Sequence, residues 1–151
     1  IEARGSGADN APDMGLLSSK KTPKPEQVYN AVKTGDLDEV KKLLGAGGHP
    51  EKHADAFTSD VCVHLAANKG RTEILKLLIQ HKADVNRQNK LGTTALHCAA
   101  GYGYDEVVRL LLDAGAQKEL RDLEGKRPAD LAKVYGQTES LKLLEAAATP
   151  A

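Results

Sequence analysis

Two cysteines and two histidines are the residues of this chain best suited to chemistry: Cys62, His64, His97 and Cys98. Thiolate and imidazole are the usual ligands of tetrahedral zinc. Their order here, Cys-x-His and then His-Cys, fits none of the spacings by which zinc sites gather ligand pairs. Catalysis would need a nucleophile, a base and an orienting group converging in a cleft. The acids that could serve, Asp38, Glu73, Glu106 and Glu139, are instead spread at one recurring interval, each just ahead of an apolar run. A carboxylate there favours the positive end of a helix dipole, which is a stabilising role. Gly45, Gly47 and Gly48 form a glycine cluster, but no phosphate-loop lysine follows it; it reads as a helix stop. No catalytic residue, metal or cofactor is expected, and the chain is read as not an enzyme.

The same interval organises everything else. Gly35, Gly70, Gly103 and Gly136 stand about 33 residues apart, a period that marks an array of small units rather than one globule. The third unit is clearest. Thr94 is suited to cap a short helix, whose small Ala99 and Ala100 allow close packing. Gly103 can take the left-handed conformation that ends it. Asp105 is then expected to cap a second helix carrying Val107, Val108, Leu110, Leu111 and Leu112, closed by Gly115. Two short antiparallel helices joined by a tight turn form the unit. His64 and His97 occupy the same place in successive units, so their spacing belongs to the repeat and not to a metal site.

Thr94-Ala95-Leu96-His97-Cys98-Ala99-Ala100 resembles the ankyrin repeat motif Thr-Pro-Leu-His-x-Ala-Ala, with Ala95 in the proline place. The preceding unit follows it through Val63-His64-Leu65-Ala66-Ala67, Gly70, Glu73-Ile74-Leu75, Leu77-Leu78-Ile79 and Ala83-Asp84-Val85-Asn86. It departs at Val61 and Cys62, where a weaker cap is expected. The last unit keeps Arg127-Pro128-Ala129-Asp130-Leu131-Ala132, with Asp130 in the histidine place. The first keeps Ala31, Gly35, Asp38-Glu39-Val40 and Leu43-Leu44, and Pro25 can start its helix. The resemblance implies an all-α solenoid of helix-turn-helix units joined by β-turn finger loops, over residues 25–147, with units at 25–57, 58–91, 92–124 and 125–147. It also implies that the repeat histidine bonds backbone in the adjacent turn, and that the protein binds other proteins. Divergent end units suit an array whose end faces meet water. Ser140 and Glu145 stand where the third unit has Val107 and Leu112, and read as such an end.

Composition agrees. With one Phe, four Tyr and no Trp, the core must be aliphatic, and Leu78 and Leu111 are expected in its seam. Basic and acidic residues number 21 each, without the basic stripe of a nucleic-acid binder, so no nucleic acid partner is expected. No apolar run is long enough to span a membrane. Two cysteines at repeat-core positions are no disulfide framework, and a reducing, cytoplasmic setting is expected, with membrane-associated or nuclear alternatives. A monomer is expected.

Residues 1–24 read as an N-terminal arm and 148–151 as a tail. Residues 1–13 look like an expression linker. Met14 would then start the chain, and Met14-Gly15-Leu16-Leu17-Ser18-Ser19 fits N-myristoylation with Gly15 as acceptor. Lys20, Lys21 and Lys24 would favour anionic lipid, giving a membrane-tethered adaptor by peripheral association; myristate alone binds membranes marginally. The alternative is a polar tail with an internal Met-Gly. A further alternative is a regulatory ankyrin piece of a larger protein.

The resemblance places first helices along a concave groove, with the residues before each helix-ending glycine facing it: Lys33-Thr34, Asn68-Lys69, Gly101-Tyr102 and Val134-Tyr135. Tyr102 and Tyr135, one repeat apart, would make anchors. The finger loops offer Phe57-Thr58, Lys90-Leu91 and Leu123-Glu124. The first finger, 53–59, is expected to be about two residues longer than its successors and lacks a turn glycine matching Gly92 and Gly125. Asn86 lies in a stretch resembling sites of asparaginyl hydroxylation in ankyrin repeats; the plainer reading is a preferred turn residue.

Overall fold

In the computed structural model, residues 21–146 are described. The arm up to residue 20, including Gly15, and the tail at 148–151 lie outside them. Among the described residues eight helices follow in pairs: α1 (Pro25–Thr34) with α2 (Leu37–Gly45), α3 (Cys62–Asn68) with α4 (Thr72–Gln80), α5 (Ala95–Tyr102) with α6 (Asp105–Asp113), and α7 (Pro128–Val134) with α8 (Thr138–Ala146). No strand occurs among the described residues.

Local chemistry sets each boundary. Thr94 accepts the amide of His97 through its hydroxyl and starts α5. Asp36 does the same for α2 through the amide of Glu39. Gly35 and Gly103 close α1 and α5 at φ +83 and +76, a conformation costly to any residue with a Cβ. Asp105, expected as the cap of α6, is its first helical residue behind Tyr104. Its carboxylate instead accepts the hydroxyl of Ser140 at 2.6 Å, across to α8. Ser140 is fully buried, so its polarity serves that bond and is not exposure of an end face; Glu145 is exposed.

Two layers result. α1, α3, α5 and α7 stack side by side as the inner layer, and the second helices stack as the outer one. Ala66, Ala67, Ala99, Ala100 and Ala132 are wholly buried in the inner layer. Methyl-sized side chains let those helices approach closely, and they pack tighter than the outer helices, which are spaced by Ile74, Leu75, Leu78, Val107, Val108 and Leu111. Closer spacing inside than outside curls the stack toward its inner face. Leu78 and Leu111 are fully sealed between the layers. Burying each such side chain is worth about 1.5–3 kcal/mol, and neighbouring repeats share the gain.

Candidate functional site

The inner face carries an apolar, uncharged cleft of about 560 Å³ between the ends of α5 and α7. Tyr102 and Tyr135 frame it, with Cys98, Leu131 and Gly101 beneath and Asn68 at one side. Both rings face solvent, at 59 % and 64 % exposure, and Val134 is exposed beside them. The two rings do not stack on one another. Tyr102 stacks on Tyr104 of its own repeat, centroids 5.8 Å apart. Tyr135 leans over Gly101, where a Cβ would lie 3.8 Å from its ring. Toward the other end, Lys33 and Lys69 are exposed in the same rows.

A feature absent from the sequence reading holds the fingers up. Asp55, Asn89 and Asp122 stand at equivalent places in three loops, and each turns its side-chain oxygen into the loop. Asp55 accepts the amides of Phe57 and Thr58 at 2.8 and 2.9 Å. Asn89 accepts those of Leu91 and Thr93, both at 2.9 Å. Asp122 accepts those of Glu124 and Lys126, both at 2.9 Å. These amide bonds hold the Asp55 carboxyl below the usual range. The in-phase acid and amide at 55, 89 and 122 were the available signal. The first finger is closed by Asp55 and Asp60, where the others close between Asn89 and Thr93 and between Asp122 and Lys126. It is therefore one residue longer, not two. Ser59, at φ +62, takes the left-handed place held elsewhere by Gly92 and Gly125.

The fingers are joined edge to edge. Lys90 donates its amide to the Thr58 carbonyl at 2.9 Å, and Leu123 donates its amide to Leu91 at 3.0 Å. The Lys90 ammonium also reaches the Ala56 carbonyl, and Glu124 pairs with Lys126. Phe57, Leu91 and Leu123 project from this ridge; Phe57 is 86 % and Leu123 76 % exposed. Neither tucks beneath its loop.

His64 and His97 are buried and use both ring nitrogens. Nδ1 of His64 accepts the Val61 amide at 3.2 Å while Nε2 lies 2.9 Å from the Thr93 carbonyl. His97 repeats this with Thr94 and Lys126. An acceptor at Nδ1 and a donor at Nε2 define a neutral imidazole with no lone pair left for a metal. Burial pushes both pKa values down. It pushes the thiols of Cys62 and Cys98 up to about 12, so neither is an activated nucleophile. At the same place in the last unit, Asp130 accepts the Arg127 amide at 2.8 Å, and the Arg127 guanidinium beside it holds its carboxyl low.

The first three helix-ending glycines each seat a side chain from the following repeat, while nothing lies within 4 Å of a Cβ placed on Gly136. The Arg71 guanidinium lies over Gly35, the Tyr104 ring over Gly70, and the Gln137 amide over Gly103. Asn86 is a staple too: its carbonyl oxygen accepts the Gln117 amide at 2.7 Å, and its NH2 group lies 3.5 Å from the Gly115 carbonyl.

The family profile described as "Ankyrin repeats (3 copies)" matches residues 28–122 and 63–148, two overlapping placements that together span the four helix pairs. The chain is 38% identical over 71 residues to "E3 ubiquitin-protein ligase XBAT33" of Arabidopsis thaliana, covering 47% of this chain and 14% of that protein. It is 41% identical over 59 residues to "Ankyrin repeat and SOCS box protein 14" of Mus musculus, 39% of this chain and 9% of that protein. It is 34% identical over 84 residues to "M-phase phosphoprotein 8" of Rattus norvegicus, 56% of this chain and 10% of that protein. The chain thus spans about a tenth of the length of these much larger relatives. Ankyrin repeats are generally protein–protein interaction modules. With its four helix pairs in register and the family profile matched along nearly all of them, the chain belongs to the ankyrin repeat family.

Proposed function

We propose that the chain is a non-catalytic recognition module that holds a partner protein in its inner groove and against its finger tips. The observation that carries this reading is the open cleft framed by Tyr102 and Tyr135. Stiff aromatic rings with a polar tip bring large contact area at small entropic cost, and such residues dominate binding energy at interfaces. Asn68, Lys69 and Lys33 extend the surface along the groove, and Phe57, Lys90, Leu91, Leu123 and Glu124 extend it along the fingers. A cytoplasmic, monomeric setting belongs to this reading. Affinity capture from cells with wild type and with a Tyr102→Ala, Tyr135→Ala double variant tests it. The variant keeps its helical signal and loses the partner; an unchanged set of captured proteins would exclude the tyrosine cleft as the anchor.

A membrane tether is a second reading, carried by the Met14-Gly15 motif and Lys20, Lys21 and Lys24. Metabolic labelling of a chain starting at Met14 with a myristate analogue decides it, since absence of label removes the tether.

A further inference from the structure

Gly101 is a glycine that the fold does not require. It sits inside α5 and is not among the glycines with positive φ. A Cβ there would meet only the Tyr135 ring, at 3.8 and 3.9 Å, which is ordinary contact. The same place in the neighbouring repeats carries a side chain, Asn68 in α3 and Val134 in α7. Glycine in a helix costs stability relative to alanine, so stability does not explain this residue. What it leaves is open backbone on the floor of the tyrosine cleft. The Gly101 carbonyl is already held by the Gln137 amide group at 3.2 Å, so the free surface there is the apolar Cα. The Asn68 carboxamide lines the same cleft and is half-buried. It makes no hydrogen bond among the described residues.

We infer that the cleft receives one bulky apolar side chain from a non-helical segment of the partner protein. That side chain seats on the Gly101 backbone between Tyr102 and Tyr135, and the Asn68 carboxamide pairs with the main chain of the same segment. This rests on the groove being the binding face, as proposed above. No charged side chain lines the cleft, so a basic group entering it would lose water with no carboxylate in place to meet it. Burial and then the charge of Asp60 push the Cys98 thiol up at the cleft floor, and the same negative charge disfavours an acidic group. Filling the cleft also takes water from Asn68, and a carboxamide left unpaired there would weaken binding. Its oxygen and its NH2 group match one N–H and one C=O of a main chain. A helix has spent those groups internally, whereas an extended segment still offers them.

Titration of the 15N-labelled protein with capped peptides tests this. The probe is Ser-Gly-Leu-Gly-Ser. Comparison peptides carry serine, lysine or aspartate in place of the leucine, and one carries N-methyl-leucine, which lacks the amide donor. The leucine peptide shifts the amide signals of Gly101, Tyr102 and Tyr135 and the side-chain NH2 signals of Asn68. Its own methyl signals move upfield between the two rings. The three polar replacements leave those signals in place. Gly101→Ala raises the melting temperature by about 2–4 °C and still weakens the leucine peptide about fivefold or more. N-methylation weakens binding to wild type but not to Asn68→Ala, the coupling expected of one shared hydrogen bond. Unchanged affinity or a lowered melting temperature in Gly101→Ala would overturn the assignment. So would equal binding of the leucine and serine peptides, an equal effect of N-methylation on wild type and Asn68→Ala, or no shift at about 10 mM peptide. If any of these occurs while the tyrosine double variant still loses its cellular partner, the seating is wrong and the groove stands. If the double variant keeps that partner, the groove reading itself has failed.

Discussion

The imidazole of His64 bridges two repeats: its Nε2 lies 2.9 Å from the carbonyl of Thr93, 29 residues away. The same ring accepts the Val61 amide that begins its own helix. Val61 has no side-chain hydroxyl to cap α3, so of the bonds between Thr94 and His97 in the next unit only the one from the helix-starting amide to the ring has a counterpart here. One side chain therefore starts a helix and fixes the following finger over it.

His64→Ala leaves the Val61 amide without a partner and takes one of its two donors from the Thr93 carbonyl, which keeps the Asn89 amide. The expected loss is about 2 kcal/mol, from one orphaned polar group at about 1–3 kcal/mol and one lost hydrogen bond. Urea unfolding of wild type and variant reads it directly. A loss under about 1 kcal/mol would mean that the bridge contributes little.

Acid should weaken the stack through the same rings. Burial lowers both histidine pKa values from the ordinary 6.5, so between the folded and unfolded values the unfolded chain binds more protons. Stability then rises with pH across that window. It is complete above about pH 7.5 and falls as pH drops through 6.5. Melting temperatures measured from about pH 8 to 5 should show this fall, and a His64→Gln, His97→Gln double variant should show it weakened. A wild type equally stable across that range would contradict a neutral, buried pair.

Two turn glycines make a matched test of finger packing. Gly92 and Gly125 share a left-handed conformation, φ +74 and +78. A Cβ on Gly125 meets nothing within 4 Å, whereas one on Gly92 lies 3.0 Å from the Asp122 Cα and the Leu123 amide nitrogen. Gly125→Ala should cost about 1–2 kcal/mol of conformational strain alone. Gly92→Ala adds overpacking against backbone, about 1–3 kcal/mol more. Equal losses would show that the fingers do not press on one another.

The fold was legible because its periodic elements are chemically redundant. Gly103, Thr94, His97 and Leu111 each announce a place in the unit, and Leu78 announces the same place one repeat earlier. The candidate surface was legible only as a set of places. Which way Tyr102 turns depends on Tyr104, two residues on, whose ring also rests over Gly70. That is a contact between repeats, and the period does not reveal it. Asp105 was misread for a similar reason: an acid at a helix start resembles a cap until Ser140 of the next repeat is seen bonded to it. The length of the first finger depends on Ser59 adopting a conformation that its residue type does not advertise.

In the proposed function the inner face, rather than the outer helices, carries recognition. The direct measurement is the dissociation constant of the purified captured partner for three proteins. These are wild type, the Tyr102→Ala, Tyr135→Ala variant, and an outer-helix control, Lys76→Ala with Arg109→Ala. Two anchoring rings at about 2 kcal/mol each predict a loss of several hundredfold for the tyrosine variant and no change for the control. Retained affinity in the tyrosine variant, or a loss confined to the outer-helix control, would contradict the account.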